Sequence, residues 1–209
     1  MSRSFLPDPA LPLFPLQTVL FPEGLLELKI FETRYLDLMA RCMREEAPFG
    51  VVALRSGAET ASRGVAGAPV ALFDVGTLAE LIEVDSPETN ILLIRCRGGQ
   101  RFRLGATRQE ADGLWVGDVT PVADDPVVAP SATHAGVVKS LVDAVAALSA
   151  QGAEPFLPPH RFDDAGWVAN RWCEILPLPL DAKHRLLSLD PRSRLDIVDS
   201  LMQVRQTPH

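Results

Sequence analysis

The sequence lacks the short motifs that usually mark an active site. None of its three lysines follows a glycine, so the chain has no phosphate-binding loop of the Walker type. No serine stands in the Gly-x-Ser-x-Gly pattern that carries a hydrolase nucleophile. The histidines form no His-Glu-x-x-His pair that would bind zinc. Because these absences remove common classes of enzyme, we expect a protein that is not an enzyme and has no cofactor and no metal ion.

Cysteine and long apolar runs are also scarce. The three cysteines, Cys42, Cys96 and Cys173, are widely spaced and make no Cys-x-x-Cys pair, which predicts buried and reduced side chains. No apolar run approaches the roughly 20 residues that cross a bilayer. The first residues lack the apolar core of a secretory signal. We therefore expect a cytoplasmic protein that does not enter a membrane.

The stretch from Leu11 to Met43 predicts strands followed by a helix. Its prolines interrupt short apolar runs, which is typical of edge strands and strand ends. Residues 26–30 alternate between apolar and charged side chains, the period of a strand with one solvated face. After Phe31 the apolar residues recur at helical spacing, which predicts an amphipathic helix packed on the strands.

The rest of the chain predicts two differently built parts. Short apolar segments continue to about residue 122, interrupted by Ser56 to Pro69, whose glycines and alanines predict a surface loop. About six or seven short strands with one packed helix should curl into a half-closed barrel. Later apolar spacings predict four helices with short links. The predicted class is α+β, with a β-rich part at 1–123, a linker at 124–133 and a helical bundle at 134–209.

Four arginines surround Gly98 and Gly99, which we interpret as the turn of a hairpin. By strand alternation they should share one face of it: Arg95, Arg97, Arg101 and Arg103. Such a face is either a cationic platform for phosphate or RNA, or a solvated face neutralised by neighbours such as Glu83 and Asp85. The net charge of −7 favours the second interpretation and makes nucleic acid an unlikely partner.

A second polar cluster, His160 with Asp163 and Asp164, also has two interpretations. It resembles a metal-binding group, but it also suits a capped loop before a helix. We favour the cap because adjacent carboxylates rarely converge on one ion.

Four segments of the chain resemble the N-terminal domain of the ATP-dependent Lon proteases. They are LPLFPLQTVLFPEGLLELKIFETRYLDL at 11–38, VGTLAELIEVD at 75–85, RCRGGQRFRL at 95–104 and NRWCEILPLPLDAKHRLLSLDPRSRLDIVDSL at 170–201. The resemblance implies a PUA-like β pseudo-barrel followed by a helical bundle. In the full protease an ATPase module and a Ser-Lys peptidase domain follow. Since this sequence ends at His209, we expect a free-standing domain with neither activity.

The resemblance also implies recognition of unfolded or tagged polypeptides. Our leading hypothesis is a non-catalytic adaptor or regulator that binds exposed apolar polypeptide or a protease subunit. We expect Phe31, Arg34 and Tyr35 to form the site, where an aromatic pair beside a cation would grip a segment paired with an open strand edge. The competing interpretation is that the two aromatic rings seal the helix against the barrel. Open strand edges also suit a homodimer.

Two further hypotheses belong to other classes. Since PUA-like barrels are often RNA-binding modules, the arginine hairpin is the candidate site for RNA or a nucleotide. An enzyme acting on a small molecule in the barrel mouth is the third hypothesis, but no set of residues supports it.

Overall fold

The computed structural model describes residues 10–56 and 70–206. The predicted surface loop at Ser56 to Pro69 lies outside these ranges except for its first residue. The chain divides into two compact units, Met1–Ala123 and Asp124–His209. Within the described ranges, no helix is both long and apolar enough to cross a membrane.

The described residues of the first unit form a ring of strands with one helix. Its elements are β1 Leu11–Leu16, β2 Leu25–Ile30, α1 Thr33–Glu45, β3 Phe49–Ser56, β4 Ala71–Glu88, β5 Ile91–Gln109 and β6 Trp115–Pro121. Neighbouring strands follow the order β2-β5-β4-β3-β1-β6, and β6 pairs back with β5. Five strands therefore close a ring, and β2 is attached to it through β5. This confirms the predicted α+β pseudo-barrel.

The predicted hairpin turn at Gly98 and Gly99 is wrong, because β5 runs through both glycines as one strand. On β4, one residue separates Thr77 from Ala79. On β5, two residues separate their partners, Arg101 and Gly98, so the ladder contains a β-bulge. Gly98 is required by close packing, since an added Cβ atom would lie 2.1 Å from the Phe21 carbonyl oxygen. The chain reverses between β4 and β5, where Asn90 has a φ of 62°.

The core of the first unit forms where α1 packs on the sheet. The Tyr35 ring stacks on Phe14 with ring centroids 3.8 Å apart and an interplanar angle of 12°. Cys42 and Cys96 are buried in the same cluster, unpaired as predicted. Burial raises the pKa of the Cys42 thiol to about 11 and that of the Cys96 thiol to about 12.

The second unit is helical, as predicted. A 3₁₀ turn at Ala132–His134 precedes four α-helices: α2 Ala135–Ser149, α3 Ala165–Ile175, α4 Leu180–Leu187 and α5 Pro191–Gln206. Trp167, Val168 and Leu195 are buried in this unit. Cys173 is also buried and unpaired, and burial raises the pKa of its thiol to about 12.

A fully buried arginine on α5, Arg194, connects several parts of the second unit. Its guanidinium donates to the Asn170 side-chain oxygen at 2.6 Å and to the Asp125 carboxylate at 2.9 Å. It also donates to the Leu186 carbonyl at 2.8 Å and to the Leu189 carbonyl at 2.6 Å. One side chain thus joins α3 and α5 to the end of α4 and to the segment before α2.

The segment 124–133, which we expected to be a linker, is grouped with the helical unit. Besides the contact of Asp125 with Arg194, the Val128 carbonyl accepts a hydrogen bond from the Ala165 N–H at 2.7 Å. This bond satisfies a backbone donor at the start of α3, where helices have no internal partner.

Candidate functional site

The junction between β2 and α1 holds the three residues that we predicted as a site. Phe31 follows β2 directly, and its side chain is 57% exposed. Glu32 is the N-cap residue of α1 and has extended backbone angles. Arg34 and Tyr35 lie in the first turn of the helix. The three residues therefore all lie at this junction, but their side chains have different environments.

Arg34 is held by contacts on three sides. It donates to the Glu32 carboxylate at 2.8 Å and to the Gly113 carbonyl at 2.9 Å. Its guanidinium carbon also lies 4.7 Å from the centroid of the Tyr35 ring, within the range of a cation–π contact. Gly113 has a φ of 86° in the connection between β5 and β6. Arg34 thereby ties the start of α1 to that connection.

Tyr35 is a core residue with 3% exposure, stacked on Phe14. Its ring cannot meet a partner without leaving the stack. Phe31 is therefore the residue of the predicted three whose side chain is presented to solvent.

One edge of β2 has no partner strand in the part of the chain that the structure describes. The other edge pairs with β5 in an antiparallel register without shifts. The Gly98 N–H donates to the Gly24 carbonyl at 2.9 Å, and hydrogen-bonded pairs recur at every second position of such a ladder. The even-numbered residues of β2 thus bond to β5, while the N–H and C=O groups of its odd-numbered residues point to the free edge.

The outer face beside this edge combines charged and apolar side chains. Lys29 lies opposite Leu93, which is 42% exposed, and Glu27 lies opposite Arg95. Alternation along the strand places Phe31 on the same side as Lys29. Two exposed apolar side chains, Phe31 and Leu93, therefore lie on one side of the sheet near the end of β2.

The predicted arginine face is not one continuous surface, because the bulge separates Arg95 and Arg97 from the two later arginines. Arg95 contacts the Glu27 carboxylate at 3.1 Å and the Glu83 carboxylate at 3.0 Å. The hydrogen bond that Arg95 donates to Glu83, followed by the charges of both carboxylates, raises the pKa of the Arg95 guanidinium. Glu83 neutralises this arginine as the second interpretation predicted.

The other arginines also differ from a cationic platform. Arg101 is 6% exposed and donates to the Ala123 carbonyl at 3.2 Å. Arg103 forms an exposed ion pair with Asp74 at 3.2 Å. Arg97 is exposed. This arrangement gives no support to an RNA or nucleotide site at these positions.

The cluster at His160 has the geometry of a helix cap. Asp164 is the N-cap residue of α3, and its carboxylate accepts a hydrogen bond from the Gly166 N–H at 3.0 Å. The His160 ring packs 5.7 Å from the Trp167 ring. Among the described residues, no three His, Cys, Asp or Glu side chains are placed to share a metal ion.

A serine, a histidine and an aspartate form a hydrogen-bonded chain that sequence reasoning missed. The His134 Nδ1 atom lies 3.0 Å from the Ser131 hydroxyl, and its Nε2 atom lies 2.7 Å from the Asp196 carboxylate. The Ser131 side chain also accepts a hydrogen bond from the His134 backbone N–H, and His134 Nδ1 accepts one from the Ser131 backbone N–H at 3.3 Å. These reciprocal bonds are those of a capping box. The chain of contacts therefore begins a helical turn and ties it to α5.

Comparisons with known proteins agree with this geometry. The family model of the ATP-dependent protease La (LON) substrate-binding domain matches residues 10–204. A Lon N-terminal domain protein from Xanthomonas campestris has a similar structure, with a TM-score of 0.70 and 30% identity over 95% of this chain and 99% of that one.

The N-terminal domain of the Mycobacterium avium complex Lon protease shares the fold, with a TM-score of 0.64 and 16% identity over 93% of this chain and 98% of that one. The comparison with curated proteins found no match. The chain belongs to the ATP-dependent protease La (LON) substrate-binding domain family.

Proposed function

We propose that this protein binds exposed apolar segments of unfolded polypeptides, without catalysis, and acts as an adaptor or regulator. The observation that carries the proposal is the exposed Phe31 side chain at the end of a strand whose outer edge is unpaired within residues 10–56 and 70–206. The name of the matching family, which refers to substrate binding, supports the same assignment.

The free edge of β2 suits a partner recognised through its backbone. An extended segment added to this edge would bond to the N–H and C=O groups of the odd-numbered residues. Backbone bonding is largely independent of sequence, whereas a folded protein has few unpaired strands to offer. This edge would therefore select unfolded chains over folded ones.

Phe31 would supply the apolar contact, and Arg34 and Tyr35 would hold it in place. The bonds of Arg34 to Glu32 and Gly113 fix the residue between the strand and the helix. The stack of Tyr35 on Phe14 anchors the first turn of α1. Phe31 would thus contact the polypeptide, while Arg34 and Tyr35 would hold the junction in position.

Binding of a permanently unfolded polypeptide, with the folded form of the same polypeptide as control, tests the proposal. We expect Phe31→Ser to weaken binding of the unfolded form by about tenfold or more, because burying a phenylalanine contributes roughly 1.5–3 kcal/mol. Met43→Ser is the matched control, since Met43 is 46% exposed on the far end of α1.

Both variants should keep the melting temperature of the wild type, because both side chains are exposed. Equal binding of the folded and unfolded forms would overturn the proposal. Equal losses in the Phe31 and Met43 variants would remove Phe31 from the site.

A further inference from the structure

The strand at the free edge, β2, has a sequence that is complementary to itself about Leu28. On either side of this residue stand Glu27 and Lys29, which have opposite charges. The next pair outward is Leu26 and Ile30, and the pair after that is Leu25 and Phe31. Each position is therefore matched in chemistry by the position at equal distance on the other side.

This symmetry corresponds to antiparallel pairing of two copies of the strand. A two-fold axis through Leu28 would place Glu27 of one copy opposite Lys29 of the other, and Lys29 opposite Glu27. Opposite charges at directly facing positions stabilise an antiparallel pair. Leu26 would face Ile30 of the other copy, and Leu25 would face Phe31.

The orientation of the backbone groups agrees with the same axis. The odd-numbered residues have their N–H and C=O groups on the free edge, as the bond of Gly98 to Gly24 indicates. In the two-fold arrangement the facing residues 27 and 29 are both odd-numbered, so they form hydrogen-bonded pairs. Leu28 lies on the axis as a non-bonded pair.

We propose that a second copy of this chain occupies the free edge of β2 and forms a two-fold dimer with one sheet continuous across it. The dimer buries the edge and the side of Phe31 that faces it, so a polypeptide and a second copy exclude each other. Self-association thereby regulates access to the edge. The dimer itself does not depend on polypeptide binding, and only this regulatory consequence rests on the proposed function.

Two charge reversals test the dimer by sedimentation over a range of concentrations. In Lys29→Glu, both facing pairs become Glu with Glu, and in Glu27→Lys both become Lys with Lys. We expect the dissociation constant to rise by about tenfold in each variant, since like charges directly opposite destabilise a strand pair. Lys29→Glu is the cleaner change, because Glu27 also contacts Arg95 within its own chain.

An equimolar mixture of the two variants supplies the decisive arm. In the heterodimer both facing pairs join an acidic residue to a basic one when the strands pair at Leu28, so mixing should restore an affinity close to that of the wild type. The double variant Glu27→Lys with Lys29→Glu restores both opposite pairs and should recover it. Melting temperatures of all variants identify any that fail to fold.

A wild type that remains monomeric up to about 1 mM overturns the proposal, since a weaker contact would not occupy the edge. The proposal is also overturned if each single reversal leaves the dissociation constant of the dimer unchanged, or if the double variant does not recover the wild-type value. Polypeptide binding by a monomeric wild type would leave the proposed function intact. A wild type that dimerises but binds no unfolded polypeptide at concentrations where it is monomeric would contradict the proposed function alone.

Discussion

Glu174, on α3, has a carboxylate that packing has partly removed from water. Its side chain lies beside the buried Arg171, at 2.8 Å. Burial raises the pKa of the Glu174 carboxyl from 4.5 to about 7, although the charges of Arg171 and Lys183 act in the opposite direction. The folded protein thus holds a proton on this group at a pH where the unfolded chain releases it.

This shift predicts that stability depends on pH between the two pKa values. Because the folded pKa is the higher one, the contribution is fully present below about pH 4.5 and is lost as the pH rises through about 7. The loss is on the order of 2–3 kcal/mol. Urea unfolding at about pH 5 and about pH 8 should therefore show a smaller difference for Glu174→Gln than for the wild type.

Glu154→Gln removes the same charge from an exposed position and is the matched control. A Glu174→Gln variant whose free energy of unfolding changes between the two pH values as much as that of the wild type would contradict this interpretation of Glu174, provided that the control behaves like the wild type.

Single residues were the hardest feature to predict from the sequence. Phe31 and Tyr35 are both aromatic and lie four positions apart, so composition and spacing do not separate an exposed ring from a buried one. The separation comes from Phe14, more than fifteen positions earlier in the chain, on which Tyr35 stacks. Arg194 likewise has no sequence signal, because its partners lie on distant segments.

Among the elements, β5 shows how a glycine pair can be misread. Two adjacent glycines favour a turn when only local conformation is considered. Here the requirement is for space, since Gly98 lies against the backbone at Phe21. A contact between segments so far apart in sequence is invisible to local rules, whereas the helices and most strands follow from apolar periodicity.

Alanine substitutions at Gly98 and Gly99 distinguish a requirement for space from a requirement for backbone flexibility. Gly98→Ala should lower the free energy of unfolding by about 3 kcal/mol, because the new methyl group meets the Phe21 carbonyl and the backbone must move. Gly99→Ala should cost less than about 1 kcal/mol, because its nearest neighbour is the mobile end of Glu80 at 3.2 Å. Chemical denaturation measures both values, and similar losses would favour a conformational requirement at both positions.

At the scale of the whole molecule, the chain consists of two compact units, one built mainly of strands and one of helices. The change from strands to helices near residue 123 is visible in the sequence because the apolar period changes from two to about 3.6. The grouping of segment 124–133 with the helices is not visible in the sequence, since its bonds to α3 and α5 leave no periodic pattern. Long-range polar contacts, unlike apolar periodicity, have no signature in sequence.

The substitution Arg194→Met tests how much such contacts contribute to the stability of the second unit. Removing the guanidinium takes one donor away from Asp125 and from several carbonyls, and breaking a buried ion pair costs about 3–5 kcal/mol. Arg192→Met is the matched control, because Arg192 is exposed on the same helix. Thermal unfolding followed by circular dichroism should show a large loss for the first variant and a small one for the second. Equal losses would mean that the network contributes little.

The reactivity of the buried thiols reports how often the structure around each of them opens. A thiol with a raised pKa inside a core does not react with a disulfide reagent until the structure around it opens. Cys42 and Cys96 lie in the first unit and Cys173 lies in the second. Mass spectrometry of the labelled peptides would therefore give a separate opening rate for each unit from one unmodified sample.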